Sequence, residues 1–240
     1  MDERFLREES LLKKENMQKL RAARVAVVGL GGVGSWCAEA LARSGIGTLY
    51  LVDEDTVSRT NINRQLFATE ETVSRPKAEA AAERIRSINP DCCAVPMHFR
   101  YEAAAREAFF RLQPNYVVDA IDLVSCKVDL ICECQSRGIP VVSALGTGNK
   151  MDAQLLRITD ISKTEGCPLA RVVRKELRQR GINHHAVVFS PEQGMEPEAM
   201  EAPPPGRRSV PGSVCWVPAA AGLLLCQHVV TELIKKELCE

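Results

Sequence analysis

Apolar positions change rhythm repeatedly along the first 150 residues, and the alternation predicts the fold. Short apolar runs at 24–28, 48–52, 94–99, 116–120 and 140–144 are bounded by turn residues and read as buried strands. Between them, apolar residues recur at helical spacing over 33–43, 77–88, 102–112 and 125–137. The second of these helices stops at Asn89-Pro90, because the residue before a proline avoids the αR region. Strands alternating with helices specify an α/β, Rossmann-like fold, a mainly parallel sheet with helices on both faces. At the N-terminus, Phe5, Leu6, Leu11, Leu12, Met17 and Leu20 are spaced as in one amphipathic helix or two short ones, predicting a helical arm over 1–22.

Beyond Met151 the rhythm loosens. Strands are expected at 154–161 and 186–189, a helix at 169–180 and a C-terminal helix at 214–234, extending the sheet within a single domain of residues 1–240. The segment 191–212 holds Pro191, Pro197, Pro203, Pro204, Pro205 and Pro211 and is expected to be a mobile loop. Residues 54–75 form a connection far longer than the two to six residues usual between strand and helix, which marks it as functional.

Charge and cysteine content narrow the classes. Lys plus Arg and Asp plus Glu both number 31, so no global field draws the chain to polyanions, and any such contact is local. The ten cysteines include no C-x-x-C pair, which argues against structural zinc and for buried, reduced thiols. A charged N-terminus, Met1-Asp2-Glu3-Arg4, is unlike a signal peptide, and a reducing cytoplasm is the expected location. Pro218, Gln227, His228 and Glu232 interrupt the C-terminal apolar stretch, so a buried helix is expected there rather than a membrane span.

The candidate chemistry begins at Gly29-Leu30-Gly31-Gly32-Val33-Gly34, between the first strand and its helix. Gly29, Gly31, Gly32 and Gly34 suit a tight turn whose bare backbone approaches phosphate at a helix N-terminus. Asp53 ends the second strand, where a carboxylate can accept ribose hydroxyls, and Asp55 follows it. These residues suit NAD and ATP equally. Arg64, in Asn61-Ile62-Asn63-Arg64-Gln65, and Lys77 break the tie. Hydride transfer requires no cations at the phosphates, whereas attack of a carboxylate on an α-phosphorus moves charge onto phosphate oxygens, and placed cations stabilise that change. Asp119 and Asp122 flank the end of a strand; Asp122 is placed to hold Mg²⁺, and Asp119 to accept structural hydrogen bonds.

In this order, Gly29 to Gly34, Asp53, Asn61-x-x-Arg64-Gln65, Lys77 and Asp122, the chain resembles the ubiquitin-activating superfamily of adenylating enzymes and its ThiF branch. Three segments look like the tRNA threonylcarbamoyladenosine dehydratases of that branch: Asn61 to Gln65, Gly146-Thr147-Gly148-Asn149-Lys150, and Gly166-Cys167-Pro168-Leu169-Ala170-Arg171-Val172-Val173-Arg174. The resemblance covers nearly the whole chain except 191–212. It implies that Gly32 and Asp53 contact adenosine, that Asn61, Arg64 and Lys77 bind phosphates, and that Asp122 handles magnesium. It also implies that Arg7 reaches the ATP of a partner subunit in a homodimer. The implied activity is ATP-dependent dehydration of the threonylcarbamoyl adenosine beside the tRNA anticodon, by adenylylation of its carboxylate and ring closure.

Two further groups of residues bear on partners. Arg171, Arg174, Lys175 and Arg178 recur at helical spacing and form a candidate tRNA face, to which Arg207 and Arg208 can add phosphate contacts. His184 and His185 are assigned no metal. A sulfur-transfer partner such as a cysteine desulfurase, a persulfide role for Cys167, and a monovalent cation near 146–167 stay open. Alternative activities are adenylylation of a ubiquitin-like sulfur carrier and a noncatalytic sulfur-relay or tRNA-binding adaptor.

Overall fold

The computed structural model describes residues 2–198 and 210–235. Arg207, Arg208, Cys239 and the middle of the proline-rich segment lie outside the described residues. Seven strands form one sheet in the order β3-β2-β1-β4-β5-β7-β6, with β1 Arg24–Val28, β2 Thr48–Val52, β3 Cys93–Met97, β4 Tyr116–Asp119, β5 Val141–Ala144, β6 Arg157–Asp160 and β7 Ala186–Phe189. All neighbours run parallel except β6, which pairs antiparallel with β7. In β1 and β4, every valine from Val25 to Val28 and both Val117 and Val118 are buried, as a sheet covered on both faces requires.

Among the described residues, eight α-helices accompany the sheet: α1 Leu6–Leu12, α2 Lys14–Ala22, α3 Gly34–Arg43, α4 Lys77–Ile88, α5 Arg106–Phe110, α6 Val124–Ser136, α7 Pro168–Gln179 and α8 Trp216–Lys235. The N-terminal arm splits at Lys13, whose φ of 74° breaks the helix; Phe5, Met17 and Leu20 enter the core while Leu11 is left exposed. Its second half is therefore part of the core. The region expected as a helix at 102–112 begins with a 3-10 turn, Ala103–Ala105, before α5. The strand expected at 154–161 is shorter, because Asp152 accepts from Gln154 N and caps a 3-10 turn at Ala153–Leu155.

Helix α8 is long and apolar enough to cross a bilayer by length and composition, yet just over half of that stretch is buried, 56%. Val217, Ala221, Leu225 and Val229 are fully enclosed, and the helix packs along α3 and against β5. Pro218 lies in its first turn, where a missing N–H costs no helical hydrogen bond. The described ends of the proline-rich segment are held at Asn149: Met195 N donates to its carbonyl at 2.7 Å and Gly212 N to its Oδ1 at 2.6 Å.

Candidate active site

The parallel register brings the carboxyl ends of β1, β2, β4 and β5 side by side, with Val28 opposite both Val52 and Asp119, and Asp119 opposite Ser143. Connections leave β1 and β4 in opposite directions across the sheet, and open α/β folds bind ligands at such a switch point. The glycine turn sits there. Gly29 has a φ of 92°, and a Cβ on it would meet the Ala120 carbonyl oxygen at 2.6 Å. A Cβ on Gly34 would lie 1.8 Å from the Gly29 oxygen, so the start of α3 closes directly onto the strand end.

Around this turn the structure gathers two groups of the expected residues. Arg64 packs its stem near Gly32 and donates from Nη1 to Thr60 O at 2.8 Å and Asn63 Oδ1 at 2.9 Å. Gln65 is buried, with its amide nitrogen facing Gly31. The loop carrying both is built locally: Ser58 and Asn61 form a reciprocal capping box around the turn Arg59–Asn61. Two α3 residues that sequence reasoning passed over hold it from below. Trp36 Nε1 donates to Arg64 O at 3.1 Å, and the fully buried Ser35 accepts from Leu66 N at 3.1 Å.

The second group is Asp53, Asp55 and Lys77. Asp53 accepts from Leu30 N at 2.6 Å and Asp55 N at 2.9 Å, linking the glycine turn to the end of β2. Burial raises the Asp53 carboxyl above its ordinary value, opposed by the Lys77 charge and by those two amides. Lys77 is buried at the first turn of α4 and pairs with the exposed Asp55 at 2.8 Å, while its backbone N–H donates to Asp55 O. A cation at a helix N-terminus opposes the macrodipole, and here a carboxylate offsets it.

Asp119 and Asp122 separate by burial. Asp119 is fully enclosed, bonded to Lys127 Nζ at 2.6 Å and to Ile121 N at 3.0 Å, so its oxygens are engaged by the protein. Asp122 is exposed, two residues beyond the Ala120 carbonyl that packs on Gly29. Among the described residues no group of three or more His, Cys, Asp or Glu side chains is placed to hold a metal. An exposed carboxylate is the kind of group through which Mg²⁺ binds, with phosphates and water completing its shell.

Arg7 is not brought to this site by its own chain. It is exposed on α1, and the neighbouring Phe5 packs on Gly45, past the far end of α3, a helix of about 15 Å by its rise per residue. On α7, Arg171, Lys175 and Arg178 are exposed around an open hollow of about 440 Å³. Arg174 shares that face, but its Nη1 donates to Thr164 O at 2.7 Å and Thr164 Oγ1 at 2.6 Å, tying α7 to the turn before it. Leu169, in the first turn of α7, lies against Gly146, so the basic helix starts beside the end of β5.

The remaining motif residues are held inside. Cys167 is buried at the N-cap of α7, and Lys150 is buried with Nζ donating to Ser190 O at 2.7 Å. Burial lowers the Lys150 ammonium, opposed by Cys167 and Glu192. His185 is enclosed with Nε2 2.7 Å from Ser143 Oγ, and burial, then the Lys127 charge, pushes it down to about 3, so it is neutral at physiological pH. His184 is exposed and pairs with Asp160. The nine described cysteines are all free thiols.

Comparison with known proteins gives concordant matches. The ThiF family pattern matches residues 5–239. The chain is 42% identical to the tRNA threonylcarbamoyladenosine dehydratase of Bacillus subtilis, over 96% of this chain and 94% of that one. It is 35% identical to the enzyme of the same name from Escherichia coli, over 94% and 91% of the two chains. The crystal structure of the Escherichia coli dehydratase in complex with ATP superposes with a TM-score of 0.87 at 35% identity, covering 97% of this chain and 94% of that one.

Proposed function

The chain belongs to the ThiF family, and from that premise we propose that it is an ATP-dependent tRNA threonylcarbamoyladenosine dehydratase. The observation that carries the reading is the meeting of the glycine turn, Arg64 and Lys77 at the switch point of the sheet, in a chain similar over nearly its whole length to enzymes of that name. The threonyl carboxylate of the modified adenosine attacks the α-phosphorus of ATP, and pyrophosphate leaves. The neighbouring carbamoyl group then closes a ring on the activated carbonyl and expels AMP, so that the base loses one water.

Each residue has a defined part. The backbone amides of Gly29 to Gly34 and the N-terminus of α3 cradle the phosphates. Arg64 and Lys77 stabilise charge that develops on the α-phosphate and the leaving pyrophosphate. Asn61 and Gln65 brace the Arg64 loop against the nucleotide, and Asp53 with Asp55 faces the ribose. Asp122 would hold Mg²⁺, which supplies charge neutralisation at the phosphates when bound. The ring-closing nucleophile is tethered in the substrate itself, so effective concentration drives the second step without an enzyme thiol. Cys167, buried, has no part in it.

The proposal extends to assembly and setting. In a homodimer, Arg7 would complete the partner's nucleotide site, in keeping with the packing of its neighbour Phe5 on Gly45, beyond the end of α3. A cytoplasmic setting supplies ATP and tRNA together. A sulfur-transfer partner would have to reach a thiol other than Cys167.

Mass spectrometry of nucleosides, after incubation of threonylcarbamoylated tRNA with the protein, ATP and Mg²⁺, is expected to show loss of one water from the modified base. An unchanged base, together with pyrophosphate exchange stimulated by a ubiquitin-like carrier, would overturn the reading in favour of carrier adenylylation. The tRNA is proposed to lie along α7. Charge reversal at Arg171, Lys175 and Arg178 is therefore expected to raise the tRNA KM severalfold, leave ATP affinity unchanged and reduce the salt slope of tRNA binding by about one per lost phosphate contact. An unaltered salt slope rejects this face.

A further inference from the structure

Lys127 lies on the core side of α6 with no exposed surface, an unusual place for an ammonium group. Its Nζ donates to Asp119 Oδ2 at 2.6 Å and to Ala144 O at 3.0 Å. These acceptors are the last residues of β4 and β5, so one cation bridges two adjacent strand ends. Through Asp119, whose Oδ1 accepts from Ile121 N at 3.0 Å, it fixes the passage 120–122 that packs on Gly29 and presents Asp122. Through Ala144 it fixes the root of the segment 145–150, which runs past Leu169 and Cys167 at the start of α7 and on to Asn149.

Stability does not account for this pair. Burying two charges costs several kcal/mol of desolvation, and apolar replacements of similar volume are often neutral or stabilising. What the pair supplies is geometry. A misplacement of about 1 Å between reacting groups can cost on the order of a hundredfold in rate.

Building on the dehydratase reading, we propose that Lys127 is a positioning residue that holds the nucleotide-facing passage 120–122 and the acceptor-side segment 145–150 in register across the β4–β5 edge. It touches neither substrate. Its effect falls on the alignment of the carboxylate with the α-phosphorus, and therefore on kcat.

Two variants test this against wild type, with AMP release, ATP affinity, tRNA KM and Tm measured for each. Asp119→Asn/Lys127→Met removes both charges at similar volume, and is expected to stay folded, with Tm lowered by several degrees because Ala144 O and the Asn amide lose partners, while kcat falls about ten- to a hundredfold and ATP affinity and tRNA KM change by less than about threefold. Lys127→Arg keeps the charge but replaces a compact donor by a planar fork that cannot serve both acceptors in the same way, and is expected to fold and still lose about tenfold in kcat. Should the double variant fail to fold, Lys127→Arg alone decides the matter. Wild-type kcat in any folded variant overturns the positioning role, as does a loss confined to ATP affinity or tRNA KM. Failure of the wild-type protein to remove water from the modified tRNA would instead overturn the dehydratase reading.

Discussion

Arg64→Ala and Lys77→Ala are each expected to lower AMP release by on the order of a hundredfold or more while leaving the protein folded, the loss seen when a donor aimed at developing charge is removed. The structure separates the two effects. Lys77 is buried, but its partner Asp55 has 62% of its side chain exposed, so that pair is largely screened and contributes about 1 kcal/mol or less; removing the Lys77 charge also lets burial raise the Asp53 carboxyl further. Arg64 lies half-buried in a loop whose fold is set by the Ser58–Asn61 capping box and by Trp36, both of which survive its truncation. Circular dichroism and Tm should therefore stay close to wild type as turnover collapses. Normal AMP release in either folded variant would remove that cation from the reaction, and a parallel loss of Tm and turnover would mark it as structural.

How far the sequence disclosed this arrangement depends on how local each signal was. The limits of β1, β2, α4 and β7 are those expected from the pattern, because each is bordered by residues that stop an element: Gly29 after β1, Asp53 after β2, Pro76 before and Asn89-Pro90 after α4, and Ser190-Pro191 after β7. Where no breaker stands, the pattern left the limits open. Periodicity through residues 2–20 fits one helix or two short ones; the structure has two, divided at Lys13, and Leu11 is left 81% exposed. Around 102–112 the alanines carry helical propensity but too little apolar surface to hold α-helical geometry, and the 3-10 turn forms until Phe109 and Phe110 reach the core.

The site follows the same rule. Gly29 to Gly34 and Asp53 were legible because turn, strand end and helix start adjoin in the chain, and separation of Asp119 from Asp122 followed from position relative to the strand end. Lys127 was not, since a lysine in a helix reads as a solvated charge. Its signal was nonetheless present: Leu130, Ile131 and Cys134, three, four and seven residues later, are all fully buried, so Lys127 occupies a core-facing position. The basic face of α7 shows the converse. Helical spacing gathered four cations, but only tertiary structure could reveal that Arg174 spends its hydrogen bonds on Thr164. Spacing identifies a shared face, and says nothing of what else touches it.

Substitutions in the glycine turn should divide folding from phosphate recognition. Gly34→Ala is expected to be the most disruptive of them, because its Cβ would stand 1.8 Å from the Gly29 carbonyl oxygen, a backbone atom held between β1 and the Ala120 passage. Relief requires α3 to move away from the sheet, and a cost above about 4 kcal/mol, in the range of severe core lesions, is expected. Little folded protein should be recovered, or its Tm should fall by about eight degrees or more, at roughly two to four degrees per kcal/mol for a chain of this size. Gly31→Ala is the contrasting case. Its nearest neighbour would be Gln65 Nε2 at 4.0 Å, an ordinary contact, so Tm should hold near wild type. If bare backbone at Gly31 is what lets phosphate approach the amides, ATP affinity should nonetheless fall by about tenfold or more, as a methyl group displaces charge-assisted hydrogen bonds. Calorimetric titration with ATP reads this directly. A Gly31→Ala protein with wild-type Tm and wild-type affinity would move the phosphates off this turn, and with them the roles proposed for Arg64 and Lys77.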